Sequence, residues 1–289
     1  CSVIYGPENL KVHSKLLLIT RKTGGGKIEY ISQIGTGNYN EKTSALYTDL
    51  CLMTANREIG SDALMVFNAL STNTLAENTN KLLVAPLCLQ NRIIEMIDGE
   101  IAAAERGEEA FIGLKMNSLT DKILIDKLVE ASQKGVKIRM VIRGICCLVA
   151  GIKGYTENIE ITSIVGRYLE HSRIYIFGAP ERMKLYISSA DFMTRNTLRR
   201  VEVAAPIYDT HVRKRIMHIF DVLTKDNVKA RVMLLDSSYV HVKTEGEPVD
   251  SQSAFIREAY ENASAAASGK GRKVKPTLVQ RIKSSLKKR

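Results

Sequence analysis

Two short segments of this 289-residue chain set a histidine two positions ahead of a basic residue: His13-Ser14-Lys15 and His171-Ser172-Arg173. The likeness continues downstream. Leu16-Leu17-Leu18-Ile19 after the first histidine is answered by Ile174-Tyr175-Ile176-Phe177 after the second. Ile34-Gly35-Thr36-Gly37-Asn38-Tyr39 then aligns without gaps to Ile187-Ser188-Ser189-Ala190-Asp191-Phe192. The same register sets Tyr47 against Arg200 and Asp49 against Glu202. Such an internal repeat implies two homologous half-sites. In a strand, residues i and i+2 share a face, so each histidine projects beside its own Lys15 or Arg173. Packed about a pseudo-twofold axis, the halves bring both imidazoles into one cleft. Neutral imidazole offers a lone pair to phosphorus near neutral pH, and a second histidine supplies a proton or steadies the leaving group. The flanking cations neutralise a transferring phosphoryl group. His211, His218 and His241 lack this context and receive no role.

The elements that must carry these residues read as α/β. Apolar runs at Leu16–Ile19 and Tyr30–Ile34 flank Gly24-Gly25-Gly26 as a hairpin. Gly24-Gly25-Gly26-Lys27 is not a P-loop, because no Ser or Thr follows the lysine and strand patterns lie on both sides. Tyr47–Met53 reads as a further strand. Ile59, Ala63, Phe67 and Leu70 recur at helical spacing, and the polar stretch 71–80 predicts a boundary near residue 80. Strands are then expected at Leu82–Ala85, Ala110–Lys115, Val136–Ile142, His171–Phe177, Lys184–Ser188 and Val201–Ala204. Helices are expected at Asn91–Ala104, Asp121–Ser132 and from His211 to about Leu223. This alternation predicts right-handed α/β units with a largely parallel sheet. Lys115 and Asn117, ending a strand before a helix, are placed to face phosphate, although an N-cap role for Ser118 or Thr120 explains the segment nearly as well.

A chain this long, with 45% hydrophobic residues, buries the core of one or two domains. It has no run of about 18 uncharged apolar residues and no signal-peptide pattern, so a soluble intracellular protein is expected. Five cysteines without C-x-x-C or metal-type spacing argue against a disulfide framework and a zinc site. Cys146 and Cys147, among Ile145, Leu148 and Val149, read as small buried residues. The net charge of +11 is concentrated at one end, where residues 251–289 hold ten Lys and Arg against two Glu. Asn262–Gly269, followed by Lys270, Arg272, Lys273 and Lys275, reads as a flexible linker and basic arm for nucleic acid, anionic lipid or polyphosphate. Val279, Ile282 and Leu286 mark one short amphipathic stripe. Opening on Cys1 and reaching His13 within a few residues, the chain is expected to be truncated at its amino end.

The residues from Lys11 to Lys15, Ile34 to Asn40, Leu46 to Asp49, Lys115 to Leu119, Arg143 to Leu148 and Gly166 to Ile174 resemble the polyphosphate kinase family, over residues 1 to about 242. The resemblance implies two related phospholipase D-like domains with mixed, largely parallel sheets flanked by helices, the first incomplete. Residues 1–80 are then the remainder of the first catalytic domain, 81–245 the second, and 246–289 a basic, disordered tail. It further implies reversible transfer of the ATP terminal phosphate to polyphosphate through a phosphohistidine, with His13 phosphorylated and His171 the second catalytic histidine. Tyr47, Arg143, Arg200 and His171 match positions that contact the nucleotide phosphates. Lys15 and Arg173 are added as phosphate-binding residues on their spacing alone. Mg²⁺ is implied as cofactor, its associated residues expected upstream of Cys1. ATP or ADP and polyphosphate are the implied partners, with a homo-oligomer and a cytoplasmic or membrane-associated location. A phospholipase D-like phosphodiesterase or nuclease uses similar paired His-x-Lys strands, but Thr20 and Gly178 stand where it would place Asp, and the second basic residue is Arg173. A non-catalytic anion-binding fragment is the alternative of a different class.

Overall fold

The computed structural model describes residues 1–243 and 246–267. Its first repeat contains β1 (Lys11–Val12), β2 (Lys15–Lys22), β3 (Ile28–Gly35), α1 (Glu41–Ser44), β4 (Tyr47–Thr48), β5 (Cys51–Thr54) and α2 (Arg57–Ser71). The predicted hairpin is present: β2 and β3 pair antiparallel from Lys15 opposite Gly35 to Lys22 opposite Ile28. Gly25 and Gly26 turn it at φ of 85° and 79°, a left-handed conformation that costs glycine nothing. The strand expected over Tyr47–Met53 is broken at Asp49 and Leu50. There the Leu50 N–H donates to Thr36 Oγ1 and the Leu50 carbonyl accepts from the Thr36 N–H, both at 2.9 Å.

The remaining elements are β6 (Leu83–Ala85), α3 (Leu89–Glu105), β7 (Phe111–Met116), α4 (Lys122–Gln133), β8 (Lys137–Ile142), β9 (Ile159–Ile164), β10 (Leu169–Glu170), β11 (Arg173–Phe177), β12 (Lys184–Ser188), α5 (Thr194–Leu198), β13 (Arg200–Pro206), α6 (Thr210–Thr224), β14 (Ala230–Met233), β15 (Tyr239–His241) and α7 (Ser251–Ala267). The main sheet runs β1-β13-β12-β11-β7-β8-β9-β14-β15, with β6 also on β13. Parallel pairing occurs where the α/β order predicts it, at β7–β8 across α4, and also at β8–β9 and β1–β13. The β11–β12 and β12–β13 pairs, closed by connections too short for a crossover, run antiparallel and make the sheet mixed.

The repeat goes deeper than the aligned sequence. Gly35 opposes Cys51 in β3–β5 as Ser188 opposes Ala204 in β12–β13. Each sheet is followed by a 15-residue helix, α2 or α6, whose N-cap, Asn56 or Asp209, accepts two backbone N–H bonds in the first turn. The largest apolar cluster joins α3 and α4 to one face of the main sheet through Ile93, Ile97, Leu114, Leu124, Tyr175 and Phe177. Ile216 and Phe220 of α6 cover Ile174, Ile176 and Ile187 on the opposite face. Each such buried side chain contributes roughly 1.5–3 kcal/mol.

Residues up to 249 belong to one compact unit, and the described residues from 250 onward to a second. Ser251–Ala267 is helix, which corrects both the disordered tail expected from residue 246 and the flexible linker expected from Asn262. Ala263, Ala265, Ala266 and Ala267 outweigh the neighbouring serines, because alanine is the strongest helix former. The tail cations from Lys270 and the apolar stripe at Val279, Ile282 and Leu286 lie outside the described residues. All five cysteines are free, yet Cys147 is exposed and Cys146 only partly covered, against the buried pair expected from their apolar neighbours. Among the described residues no helix is long and apolar enough to cross a membrane.

Candidate active site

Each histidine stands in a two-residue gap where the chain leaves one strand partner for another. β1 pairs in parallel with β13, after which both His13 N–H and Ser14 N–H donate to the Val201 carbonyl at 2.9 Å; β2 then pairs within its own repeat. The second copy reproduces this. β10 pairs with β4, His171 N–H and Ser172 N–H donate to the Thr48 carbonyl at 3.2 and 2.9 Å, and β11 proceeds to β12. The two histidine segments therefore cross over, each running first along the other repeat.

The crossing decides which carboxylate meets which ring. His13 Nδ1 lies 2.9 Å from both oxygens of Glu202, a residue of the second repeat with no solvent exposure. His171 Nδ1 lies 2.8 and 3.1 Å from the oxygens of Asp49 in the first. Matching hydroxyls hold the carboxylates: Ser189 Oγ donates to Glu202 Oε2 at 2.5 Å and Thr36 Oγ1 to Asp49 Oδ1 at 2.6 Å. Glu202 also accepts from Asn196 Nδ2 at 3.1 Å. Asp49 lies directly over Gly37, where any Cβ would collide with the carboxylate. A carboxylate on Nδ1 keeps the proton there and leaves the lone pair on Nε2.

The predicted i, i+2 neighbours are in place. Lys15 Nζ donates to His13 Nε2 at 3.0 Å, and Arg173 Nη1 lies 3.2 Å from His171 Nε2. Burial lowers the Lys15 pKa to about 8; Glu202 and Asp49 work against that shift, and Arg173 and Arg200 add to it. Charges from both repeats thus act on one ammonium, which places the two half-sites in one electrostatic cluster. Burial also pulls the His171 pKa below its ordinary value, the bond to Asp49 opposing it and Arg173 reinforcing it, so this imidazole is neutral at physiological pH. Tyr47 packs against the His171 ring with centroids 4.9 Å apart. Arg200 Nη1 lies 4.0 Å from Glu202 Oε1. Arg143 donates from Nε to the Glu170 carbonyl at 2.8 Å and, with Tyr47, Arg167 and Tyr168, lines a cavity of about 400 Å³.

Three expectations change. Arg173 is as buried as Lys15, but its guanidinium is committed to Asp191 and to the carbonyls of Thr36 and His171, so it braces the site instead of clamping a phosphate as expected. Lys115 is fully buried, bonded to the Ser172 carbonyl and hydroxyl at 3.0 and 2.8 Å and paired with Glu170 at 3.2 Å. Asn117 holds Asp191, and the N-cap of α4 is Asp121, neither Ser118 nor Thr120. Among the described residues no ligand set for Mg²⁺ is assembled. Glu202, Asp49 and Asp191 are spent on His13, His171 and Arg173, and no group of three His, Cys, Asp or Glu among the described residues is arranged to hold a metal ion.

Sequence reasoning missed the roles of Asp49, Glu202, Thr36, Ser189 and Asp191. A signal existed for the first four, since the repeat aligns acid with acid and hydroxyl with hydroxyl. As an arrangement, two imidazoles each backed by a carboxylate on Nδ1, with cations beside them, can take up and pass on an anionic electrophile.

A family model described as polyphosphate kinase C-terminal domain 1 matches residues 1–76, and one described as polyphosphate kinase C-terminal domain 2 matches residues 82–252. A polyphosphate kinase of Staphylococcus haemolyticus is 46% identical over 259 residues, covering 90% of this chain and 36% of that protein. One of Bacillus anthracis is 46% identical over 266 residues, covering 92% and 38%. The crystal structure of polyphosphate kinase from Porphyromonas gingivalis matches the fold with a TM-score of 0.82 at 36% identity, covering 88% of this chain and 39% of its own. The chain spans little more than a third of the length of these relatives.

Proposed function

The chain belongs to the polyphosphate kinase family, and from that premise we propose that its paired histidines move the terminal phosphate of ATP to and from polyphosphate, with His13 carrying it between. The observation that carries this reading is the reciprocal pairing of His13 with Glu202 and His171 with Asp49, which leaves Nε2 of His13 as a nucleophile inside a ring of cations. Glu202 holds the Nδ1 proton and steadies the positive charge that grows on the ring during attack. The bond from His13 Nε2 to the terminal phosphorus forms as the bond from that phosphorus to the ADP oxygen breaks, the electron pair leaving with ADP. His171, neutral and backed by Asp49, faces the departing oxygen and supports its charge. In the second step the terminal oxygen of polyphosphate attacks the phosphohistidine, and Nε2 regains its lone pair. Lys15, Arg143 and Arg200 offset the negative charge of both substrates, and Tyr47 forms a wall beside His171 where the nucleotide phosphates enter.

The test is intact-mass detection of acid-labile phosphate after incubation with ATP and Mg²⁺, on wild type, His13→Ala and His171→Ala. We expect phosphate on wild type, none on His13→Ala, and phosphate that forms or leaves slowly on His171→Ala. Phosphate retained on His13→Ala would overturn the assignment of the nucleophile.

A further inference from the structure

The register that aligns Lys15 with Arg173 also aligns Asn38 with Asp191, and this difference separates the half-sites. Arg173 donates from Nε to Asp191 Oδ1 at 3.2 Å, from Nη2 to Asp191 Oδ2 at 3.1 Å, and from Nη1 to the carbonyls of His171 at 2.8 Å and Thr36 at 3.1 Å. Asp191, 7% exposed, is itself fixed by Asn117, whose backbone N–H donates at 2.7 Å and whose amide donates at 3.0 Å. A guanidinium leaving that site would abandon a buried carboxylate, so Arg173 stays where it is. Lys15 has no such anchor. Asn38 is exposed, and among the described residues no carboxylate lies within ion-pair distance of Nζ. Its bonds run to His13 Nε2 at 3.0 Å and the His13 carbonyl at 2.5 Å, two of the three an ammonium can donate.

We propose that the two cations are not equivalent: Lys15 is the group that takes hold of the phosphoryl oxygens, whereas Arg173 is a fixed brace for the His171 ring and binds no phosphate. This rests on the phosphoryl-transfer reading above and adds to it the identity of the moving cation. In the resting site Lys15 occupies the lone pair of Nε2. An arriving phosphoryl group draws the ammonium off the ring onto its own oxygens, so one rotation uncovers the nucleophile and delivers the charge. A lysine on a flexible stem can make that rotation, and a clamped planar guanidinium cannot. The groups acting on Nζ come from every side: His13 beside it, Glu202 and Arg200 on β13, Arg173 on β11, and Asp49 between β4 and β5. Their sum, with burial, leaves Lys15 changing charge near pH 8.

The experiment is calorimetric binding of inorganic tripolyphosphate to the chain on either side of pH 8, for wild type, Lys15→Arg, Lys15→Ala, Asn38→Asp and Arg173→Lys. Wild type is expected to lose roughly ten-fold in affinity on the alkaline side, the weight of one charge-assisted contact. Lys15→Arg should keep its affinity there, and Lys15→Ala should bind weakly at both pH values. Asn38→Asp should pair with Lys15, weakening binding near neutrality and moving the alkaline loss to higher pH. Arg173→Lys should bind as wild type does while unfolding at lower temperature. An alkaline loss that survives in Lys15→Arg overturns the proposal. So does wild type that fails to bind, or a natively folded Arg173→Lys weakened as much as Lys15→Ala. Binding is read without turnover, so absent phosphohistidine with this pattern intact would count against the nucleophile assignment alone.

Discussion

The two repeats set equivalent residues in opposite surroundings. Leu17 and Ile19 of β2 are 40% and 52% exposed, while their counterparts on β11, Tyr175 and Phe177, are 0% and 1% exposed. β11 lies between β12 and β7 with α3 and α4 over its face, whereas among the described residues β2 is paired along one edge, by β3. The chemistry ignores this imbalance: the Nδ1–carboxylate distances are 2.9 Å at His13 and 2.8 Å at His171. Crossing over explains why. His13, on the barer repeat, is held by fully buried Glu202 of the covered one, and His171 relies on Asp49, whose side chain is 24% exposed. The order of a half-site thus follows its lender, not its own repeat.

The widest test of this contrast compares equivalent core positions. Phe177→Ala should cost about 3–5 kcal/mol in urea unfolding, as emptying a packed aromatic site does. A step smaller, Glu202→Ala should cost about 3 kcal/mol, because the His13 ring, Ser189 and Asn196 all lose a buried acceptor. Asp49→Ala, on the more exposed side, should cost about 1 kcal/mol; equal losses at the two carboxylates would dissolve the asymmetry. Lys15→Met should go the other way and stabilise the chain by about 2 kcal/mol near neutral pH, because the buried ammonium is paid for by the fold. Its folded pKa, about 8, lies below the ordinary lysine value, so the folded state sheds this proton first. The wild-type penalty is complete below pH 8 and fades as pH rises toward the ordinary value; a stability gain in Lys15→Met that persists beyond that range would contradict burial as its cause. The smallest effect belongs to Ile19→Ala, at about 0.5 kcal/mol or less. A loss there as large as at Phe177 would mean the exposed face of β2 is covered in solution.

Much of this architecture was legible because it is local or repeated. The β2–β3 hairpin follows from two apolar runs and three glycines, α2 from Ile59, Ala63, Phe67 and Leu70, and the paired histidines from their matching tripeptides. The reciprocal pairing was not, because an alignment equates Asp49 with Glu202 without saying which histidine each faces; that choice is a topological one made 122 and 189 residues away. The commitment of Arg173 was equally hidden. It depends on Asp191 rotating inward beside Asn117, a contact that composition at either position does not announce. The helix at Ser251–Ala267 was obscured for a simpler reason: serine and asparagine signal turns, while the alanines among them carry the helical preference.

A site in which each copy completes the other is the geometry of a swapped twofold dimer, where neither subunit works alone. Here a single peptide joins the two copies through residues 72–82, between α2 and β6. Assembly therefore becomes an intramolecular event governed by effective concentration, independent of how dilute the protein is. The tether also fixes a one-to-one stoichiometry and frees each copy to diverge, so that one could keep lysine where the other took arginine.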